Sequence, residues 1–336
     1  MSHQPLSETD ISQLLEKLSG VQEAIATTIV GQSQVVQELL VSLLAGGHCI
    51  LEGVPGLAKT LMVSTLAKTL RVEFKRVQFT PDLMPSDLIG TEILEEDHGT
   101  GKRIFTLQKG PIFTQLLLAD EINRTPPKTQ AALLEAMQER AVSYGGQRYA
   151  LAAPFFVLAT QNPVEQAGTY ALPEAQLDRF LLFVRVDYPS AEEERAILSR
   201  TTGSASPSVA PVLGADDVIA LQQLVREVDI SEPLLHYVTD VVRATRPENR
   251  SHAQVERYVR WGAGPRAGQA VILCAKALAL LNGRFAVTLD DIKAIAAPAL
   301  RHRILLNFEA EADGISSDDI VAGLLASVCV ATPSLS

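Results

Sequence analysis

The chain has 336 residues, 47% of them hydrophobic and 20% charged, enough apolar material for a large buried core and enough length for two domains. A formal net charge of -10 argues against a surface devoted to nucleic-acid phosphates, which needs clustered Lys and Arg, although a small basic stripe inside an acidic ring is compatible with it. Cys49, Cys274 and Cys329 stand far apart with no C-x-x-C spacing, which excludes a disulfide framework or zinc knuckle and makes a reducing cytoplasm the default location.

The opening segment, MSHQPLSETD, lacks a basic start followed by an apolar stretch. Helical spacing of apolar residues predicts one helix over Ile11 to Ile29 and a second over Gln34 to Leu44, stopped by Gly46-Gly47. From His48 the pattern becomes a short apolar strand, HCILEG, then a glycine-containing loop, then a helix from about Lys59 to Leu70. Further strands are expected at Phe74–Phe79, Gln115–Ala119, Phe155–Thr160 and Phe180–Val186, with a helix over Lys128–Gln138. Such alternation predicts an α/β fold with a mostly parallel, helix-covered sheet.

Two segments, Gly90–Thr106 with its turn at His98-Gly99-Thr100-Gly101 and Ala141–Leu151 with Gly145-Gly146, read as β-hairpins. After Asp187-Tyr188-Pro189 the strand signals stop. One short helix and a Ser/Pro/Ala/Gly-rich loop, Thr201–Gly214, then lead into helical runs near Asp216–Val228, Glu232–Ala244, Pro265–Leu281, Leu289–Arg301 and Ser317–Val328. The expected division is an α/β core with both hairpins over 1–189 and an all-α domain over 190–336. The longest greasy segment, Ala270–Leu281, is short and broken by Lys276, so no membrane span is expected.

Gly53, Val54, Pro55, Gly56, Leu57, Ala58, Lys59, Thr60 and Leu61 lie between strand and helix in the manner of a phosphate-binding Walker A loop. There, backbone amides and a helix N-terminus face phosphates, a lysine reaches the β and γ groups, and a Thr hydroxyl binds magnesium. Ala58 stands where the general pattern has glycine, and taken alone the segment is also consistent with a glycine-rich strand-to-helix turn. Leu116-Leu117-Leu118-Ala119-Asp120-Glu121 is an apolar strand ending in two acids, as a Walker B strand requires: Asp120 for magnesium and Glu121 to polarise the attacking water. The following strand delivers Gln161-Asn162-Pro163, and Asn162 is the candidate polar sensor, although Asn-Pro alone is only a turn signal.

GVPGLAKT, LLLADEINR, LATQNP, ALPEAQLDRF and GAGPRAGQA, in this order, make the chain resemble the MoxR family of AAA+ ATPases in the helix-two-insert group, over nearly its whole length. The family carries the Ala58 variant. By resemblance, Arg179 matches the arginine finger that reaches a neighbouring subunit's γ-phosphate, and Arg266 matches sensor 2, which would touch the phosphates from the start of a lid helix. Val30-Gly31-Gln32 resembles the adenine-side contact. Arg124 is a weaker interface candidate, with a structural salt bridge as its alternative.

The resemblance implies ATP and Mg2+, a homo-oligomeric ring of six, and a protein client met by the hairpins, Glu95-Glu96-Asp97-His98 included. It also implies remodelling of protein complexes with a von Willebrand factor A domain partner. A nucleic-acid-translocating motor is the alternative, disfavoured by the acidic charge. A small-molecule kinase is disfavoured by the finger, sensor 2 and lid. Trp261 is expected to pack inside the lid.

Overall fold

The computed structural model describes residues 7–54, 56–96, 103–163, 168–201, 209–250 and 252–330. The first helix, Glu8–Thr28, starts at a capping box in which Ser7 and Asp10 satisfy each other's backbone amides, and it buries Leu14, Leu18, Val21 and Ile25 at spacings of four, three and four. A second helix, Ser33–Leu44, leads through Gly46-Gly47 into the sheet.

Five strands form that sheet: β1 (Cys49–Glu52), β2 (Phe74–Gln78), β3 (Leu116–Asp120), β4 (Phe156–Gln161) and β5 (Leu182–Arg185). They run parallel in the order β5-β1-β4-β3-β2. The register sets Cys49 beside Leu182 and Leu158, and Leu116 beside Phe156 and Phe74. Because parallel strands need crossover helices on both faces, the central ones are apolar on both sides, and alternate residues divide between two cores. Cys49, Leu51, Leu116, Leu118, Phe156, Leu158, Leu182 and Val184 face one core, which continues through the first two helices to Leu324. Ile50, Leu117, Ala119, Val157, Ala159 and Phe183 face the other, closed by Leu133, Leu134 and Met137 of the helix Pro127–Glu139.

Beyond β5 the chain is mainly helical: Ala191–Thr201, Ala215–Glu227, Glu232–Ala244, Pro265–Leu281, Leu289–Leu300 and Ser317–Ser327. Pro265–Leu281 is buried on nearly all sides, with Ala277 to Leu281 entirely in the core, and packs against Leu289–Leu300, Ser33–Leu44 and Glu232–Ala244. The expected Thr201–Gly214 loop is in part structured, since Leu213–Gly214 pairs in parallel with Leu70–Arg71; residues 202–208 lie outside the described residues.

Both hairpins form, Gly90–Glu96 against Arg103–Lys109 and Ala141–Tyr144 against Gln147–Ala150; the expected turn at 98–101, with Asp97, lies outside the described residues. Trp261 does not pack inside the lid: it is 68% exposed, held on a short antiparallel pairing of Val259–Trp261 with Leu305–Leu306. Among the described residues no helix is long and apolar enough to cross a membrane.

Candidate functional site

The sheet order changes direction at β1, and the crevice beyond the carboxyl ends of such strands is where open α/β sheets bind ligands. The segment after β1 occupies that crevice. Gly53 is required by close approach: a Cβ there would lie 2.7 Å from the Val186 carbonyl oxygen. Gly56 (φ 88°) and Ala58 (φ 54°) both adopt left-handed backbone, which explains why glycine is the general residue at the second position and means that Ala58 carries local strain. Pro55 lies outside the described residues.

The helix Lys59–Thr69 begins directly after Ala58 with no side-chain cap, so its first amides point into the crevice with the positive end of the helix dipole. Lys59 Nζ donates to the Gly53 carbonyl, folding the lysine back over its own loop. Burial lowers the Lys59 pKa, while Asp120, Glu121 and Glu52 pull it back up, so all three acids act on this ammonium.

A cleft of about 350 Å³ brings Gly56, Ala58, Lys59 and Thr60 together with Asp120, Glu121 and Asn162. Arg76, Gln78 and Thr160, which the sequence reading did not single out, complete it. Asp120 is buried at the end of β3, and its Oδ1 accepts from Thr160 Oγ1 at 2.6 Å. The Glu121 amide donates to the same hydroxyl at 2.9 Å, and Glu121 takes a left-handed conformation (φ 58°).

Glu121 Oε2 accepts from Gln78 Nε2 at 2.6 Å and lies 3.2 Å from Arg124 Nε, so Arg124 makes the local salt bridge. Arg76 Nη2 lies 2.6 Å from Asp120 Oδ2. Asn162 is buried, its carbonyl accepting from Asn123 Nδ2 at 3.4 Å. Leu57 is half-buried beside the cleft and Leu61 is 44% exposed.

Thr60 and Asp120 offer hard oxygen donors, the chemistry magnesium takes. Among the described residues no group of three or more His, Cys, Asp or Glu could hold a metal by itself. Two protein oxygens completed by phosphates and water are what magnesium uses in nucleotide sites, so the residues present fit it.

Arg185, Asp187 and Tyr188 wall two adjoining cavities: one of about 310 Å³ beside Gly53 and Leu57, the other of about 380 Å³ beside Gln32. Gln32 Nε2 donates to the Asp187 carbonyl at 2.8 Å, tying the Val30-Gly31-Gln32 turn to the end of β5. Val30 and Gly31 themselves line a larger cavity of about 840 Å³ between the first two helices and Leu278, Ala294 and Ile295. Val30, Gly31 and Gln32 thus all line cavities, and Arg185, Asp187 and Tyr188, flagged in sequence only by a strand ending in Asp-Tyr-Pro, line the neighbouring ones.

Arg179 and Arg266 lie together, but not with the phosphate loop. They share a cleft of about 230 Å³ with Gly47, His48, Asp178 and Arg303. Gly47 and His48 precede β1 and Arg179 precedes β5, whereas the phosphate loop follows β1; in a parallel sheet these are opposite ends, roughly 10 Å of strand apart. Arg266 Nη1 lies 3.6 Å from Asp178 Oδ2, at the end of the sheet opposite to the phosphate loop of its own chain.

Arg303 is buried and donates to Asp178 Oδ1 (2.7 Å), the Phe180 carbonyl (2.7 Å) and the Leu181 carbonyl (3.1 Å), clamping the Arg179 segment onto the lid. Burial lowers the Arg303 pKa, opposed by its bond to Asp178. Beside it, His302 Nε2 bonds the Phe180 carbonyl at 3.1 Å, and burial drives its pKa well down, so the ring is neutral and donates. His48 is likewise pushed down to about 4 by burial; it bridges the Met137 carbonyl (3.2 Å) and the Val157 amide (3.0 Å) beneath this cleft.

The family described as "ATPase family associated with various cellular activities (AAA)" matches residues 48–182, and the AAA lid domain matches residues 251–324. The chain is 46% identical over 303 residues to the protein named chaperone MoxR1 of Mycobacterium tuberculosis, covering 90% of this chain and 79% of that one. It is 32% identical over 319 residues to protein MoxR of Paracoccus denitrificans, covering 89% and 92%. A crystal structure of a candidate ATPase from Cytophaga hutchinsonii superposes with a TM-score of 0.89 at 44% identity, covering 97% of this chain and 98% of that one.

Proposed function

Because the chain belongs to the MoxR family of AAA+ ATPases, we propose that it hydrolyses magnesium-bound ATP in the cleft between Lys59-Thr60 and Asp120-Glu121 and spends the energy on remodelling protein complexes. The observation that carries this reading is the convergence, in one cleft, of a lysine and helix N-terminus with two acids held by different partners.

Lys59 and the first helical amides bind the β- and γ-phosphates, while Thr60 and Asp120 hold magnesium, which when bound supplies charge neutralisation on the phosphates. Glu121, held by Gln78 and Arg124, orients the attacking water and takes its proton, and Asn162 supplies a second polar contact to that water or to the γ-phosphate. The base lies along Val30, Gly31 and the end of β5.

Arg179 and Arg266, at the opposite end of the sheet, serve the nucleotide of a neighbouring subunit, so the active unit is a ring of copies, a hexamer by family analogy. The client is a protein met by the hairpins, where Leu94 (51% exposed) and Phe105 (72% exposed) sit directly opposite each other as an apolar surface. A von Willebrand factor A domain protein is the partner class to test first.

The deciding experiment measures ATP binding and turnover together. Glu121→Gln should keep binding, stall hydrolysis and accumulate a ring; unaltered turnover would overturn the assignment. Arg179→Ala and Lys59→Ala subunits, each inactive alone, should recover activity when mixed, and no recovery at any ratio would count against action in trans.

A further inference from the structure

Arg76 is not one of the phosphate-loop, acid, sensor or finger residues, yet it makes a direct contact with a proposed magnesium ligand. It projects from the edge strand β2 across β3, its guanidinium donating to Asp120 Oδ2 through Nε at 3.1 Å and Nη2 at 2.6 Å. Nη2 also donates to Gln78 Oε1 at 3.2 Å, and Gln78 Nε2 donates to Glu121 Oε2 at 2.6 Å. Asp120 Oδ1 is taken by Thr160. Both oxygens of the acid are therefore engaged, one by a neutral hydroxyl fixed in the core and the other by a full positive charge.

The asymmetry of burial indicates which contact gives way. The Asp120 side chain is 11% exposed and that of Arg76 49%, so the acid is fixed while the arginine lies half in solvent with room to turn. A divalent cation held by Asp120 would stand within a few ångströms of this guanidinium, in a partly water-excluded cleft where like charges repel strongly. We propose that Arg76 is a positioning residue that competes with the divalent cation for Asp120, and so sets how tightly magnesium binding is coupled to nucleotide binding.

Without the metal, Arg76 holds Asp120 in place and lends positive charge to the phosphate cleft. Once Asp120 takes the metal, Arg76 releases it while remaining tethered through Gln78, on the side of the general base. The proposal rests on the cleft being the magnesium-nucleotide site.

The test titrates a fluorescent N-methylanthraniloyl-ADP into the full-length protein, in EDTA and then across MgCl2 concentrations, and takes the ratio of the two dissociation constants as the coupling. Arg76→Gln should weaken metal-free binding severalfold yet raise the coupling ratio about tenfold, and it should lower the magnesium concentration needed for half-effect. Arg76→Lys, which keeps the charge, should stay within about threefold of wild type. In an Asp120→Asn background, Arg76→Gln should leave the ratio unchanged, because the group being competed for is gone.

A coupling ratio in Arg76→Gln equal to or below the wild-type value, in protein with an unchanged thermal midpoint, overturns the proposal. If Arg76→Gln does not fold, Arg76→Met and the Arg76→Lys ratio decide it, a Lys variant that loses coupling control counting against charge competition. A wild-type protein that binds the nucleotide without any response to magnesium would instead overturn the reading of the site, and this proposal with it.

Discussion

Thr160→Val offers the sharpest check on how the two acids are set. Thr160 is 1% exposed, and its hydroxyl is the only group bonded to both Asp120 (2.6 Å to Oδ1) and the Glu121 amide (2.9 Å) among the bonds described. Valine nearly matches it in volume, so no cavity opens and only the hydroxyl is lost. Removing a donor to a buried carboxylate costs about 1.5–3 kcal/mol, and orphaning a buried amide costs about 1–3 kcal/mol. With partial relaxation, ~3 kcal/mol of stability should go.

The same amide bond holds Glu121 at φ 58°, a conformation that costs a non-glycine residue roughly 1–2 kcal/mol, so its loss lets the carboxylate swing away from the γ-phosphate position. Urea denaturation should show the stability loss. Turnover should fall more than tenfold while nucleotide binding changes little, and Thr160→Ser should restore most of both. A Thr160→Val protein within about 0.5 kcal/mol of wild type and with normal turnover would refute the argument, because it would mean that solvent or Arg76 alone satisfies Asp120.

Three further outcomes are expected. Arg303→Met removes a buried donor from Asp178, itself a third exposed, and from the Phe180 and Leu181 carbonyls, so it should cost about 1.5–3 kcal/mol by denaturant titration and lower turnover by loosening the Arg179 segment; Arg303→Lys, with fewer and differently placed donors, should rescue little. Ala58→Gly should raise stability by about 0.5–1 kcal/mol and keep nucleotide affinity, whereas Ala58→Val, β-branched at φ 54°, should lower both; equal behaviour of the two would contradict the left-handed loop. Burial raises the pKa of Glu38 to about 7, opposed by its bond from Gln34, so the folded protein keeps a proton that the unfolded chain releases near its ordinary value of 4.5. Stability from this group is therefore present below pH 4.5 and lost as pH rises to about 7, some 3 kcal/mol in all. His48, depressed to about 4, acts in the opposite sense between pH 4 and 6.5, so the measurement is the difference between wild type and Glu38→Gln, which should grow by roughly that amount across the window.

The chain's own order of residues determined the α/β sheet, its helical continuation and the residues that meet in the cleft after β1. Each of these is local or periodic: a strand buried on both faces reads as an unbroken apolar run, a capping box announces a helix, and the Walker residues sit at strand ends. Trp261 shows the limit of that reading, since a large aromatic beside glycine looks like packing until a two-residue pairing is seen to hold it outward.

Tertiary structure alone decided how distant pieces meet. Arg76 and Gln78 read as ordinary polar positions on an edge strand, and only the β2–β3 register brings them to Asp120 and Glu121. Arg303, 125 residues from Asp178 in sequence, became the anchor of the Arg179 segment because lid packing buried it against that turn's carbonyls. The place of Arg266 followed from the same packing: a motif fixes which residue type begins a helix, whereas the end of the sheet that helix meets depends on how the lid's apolar faces dock against the core.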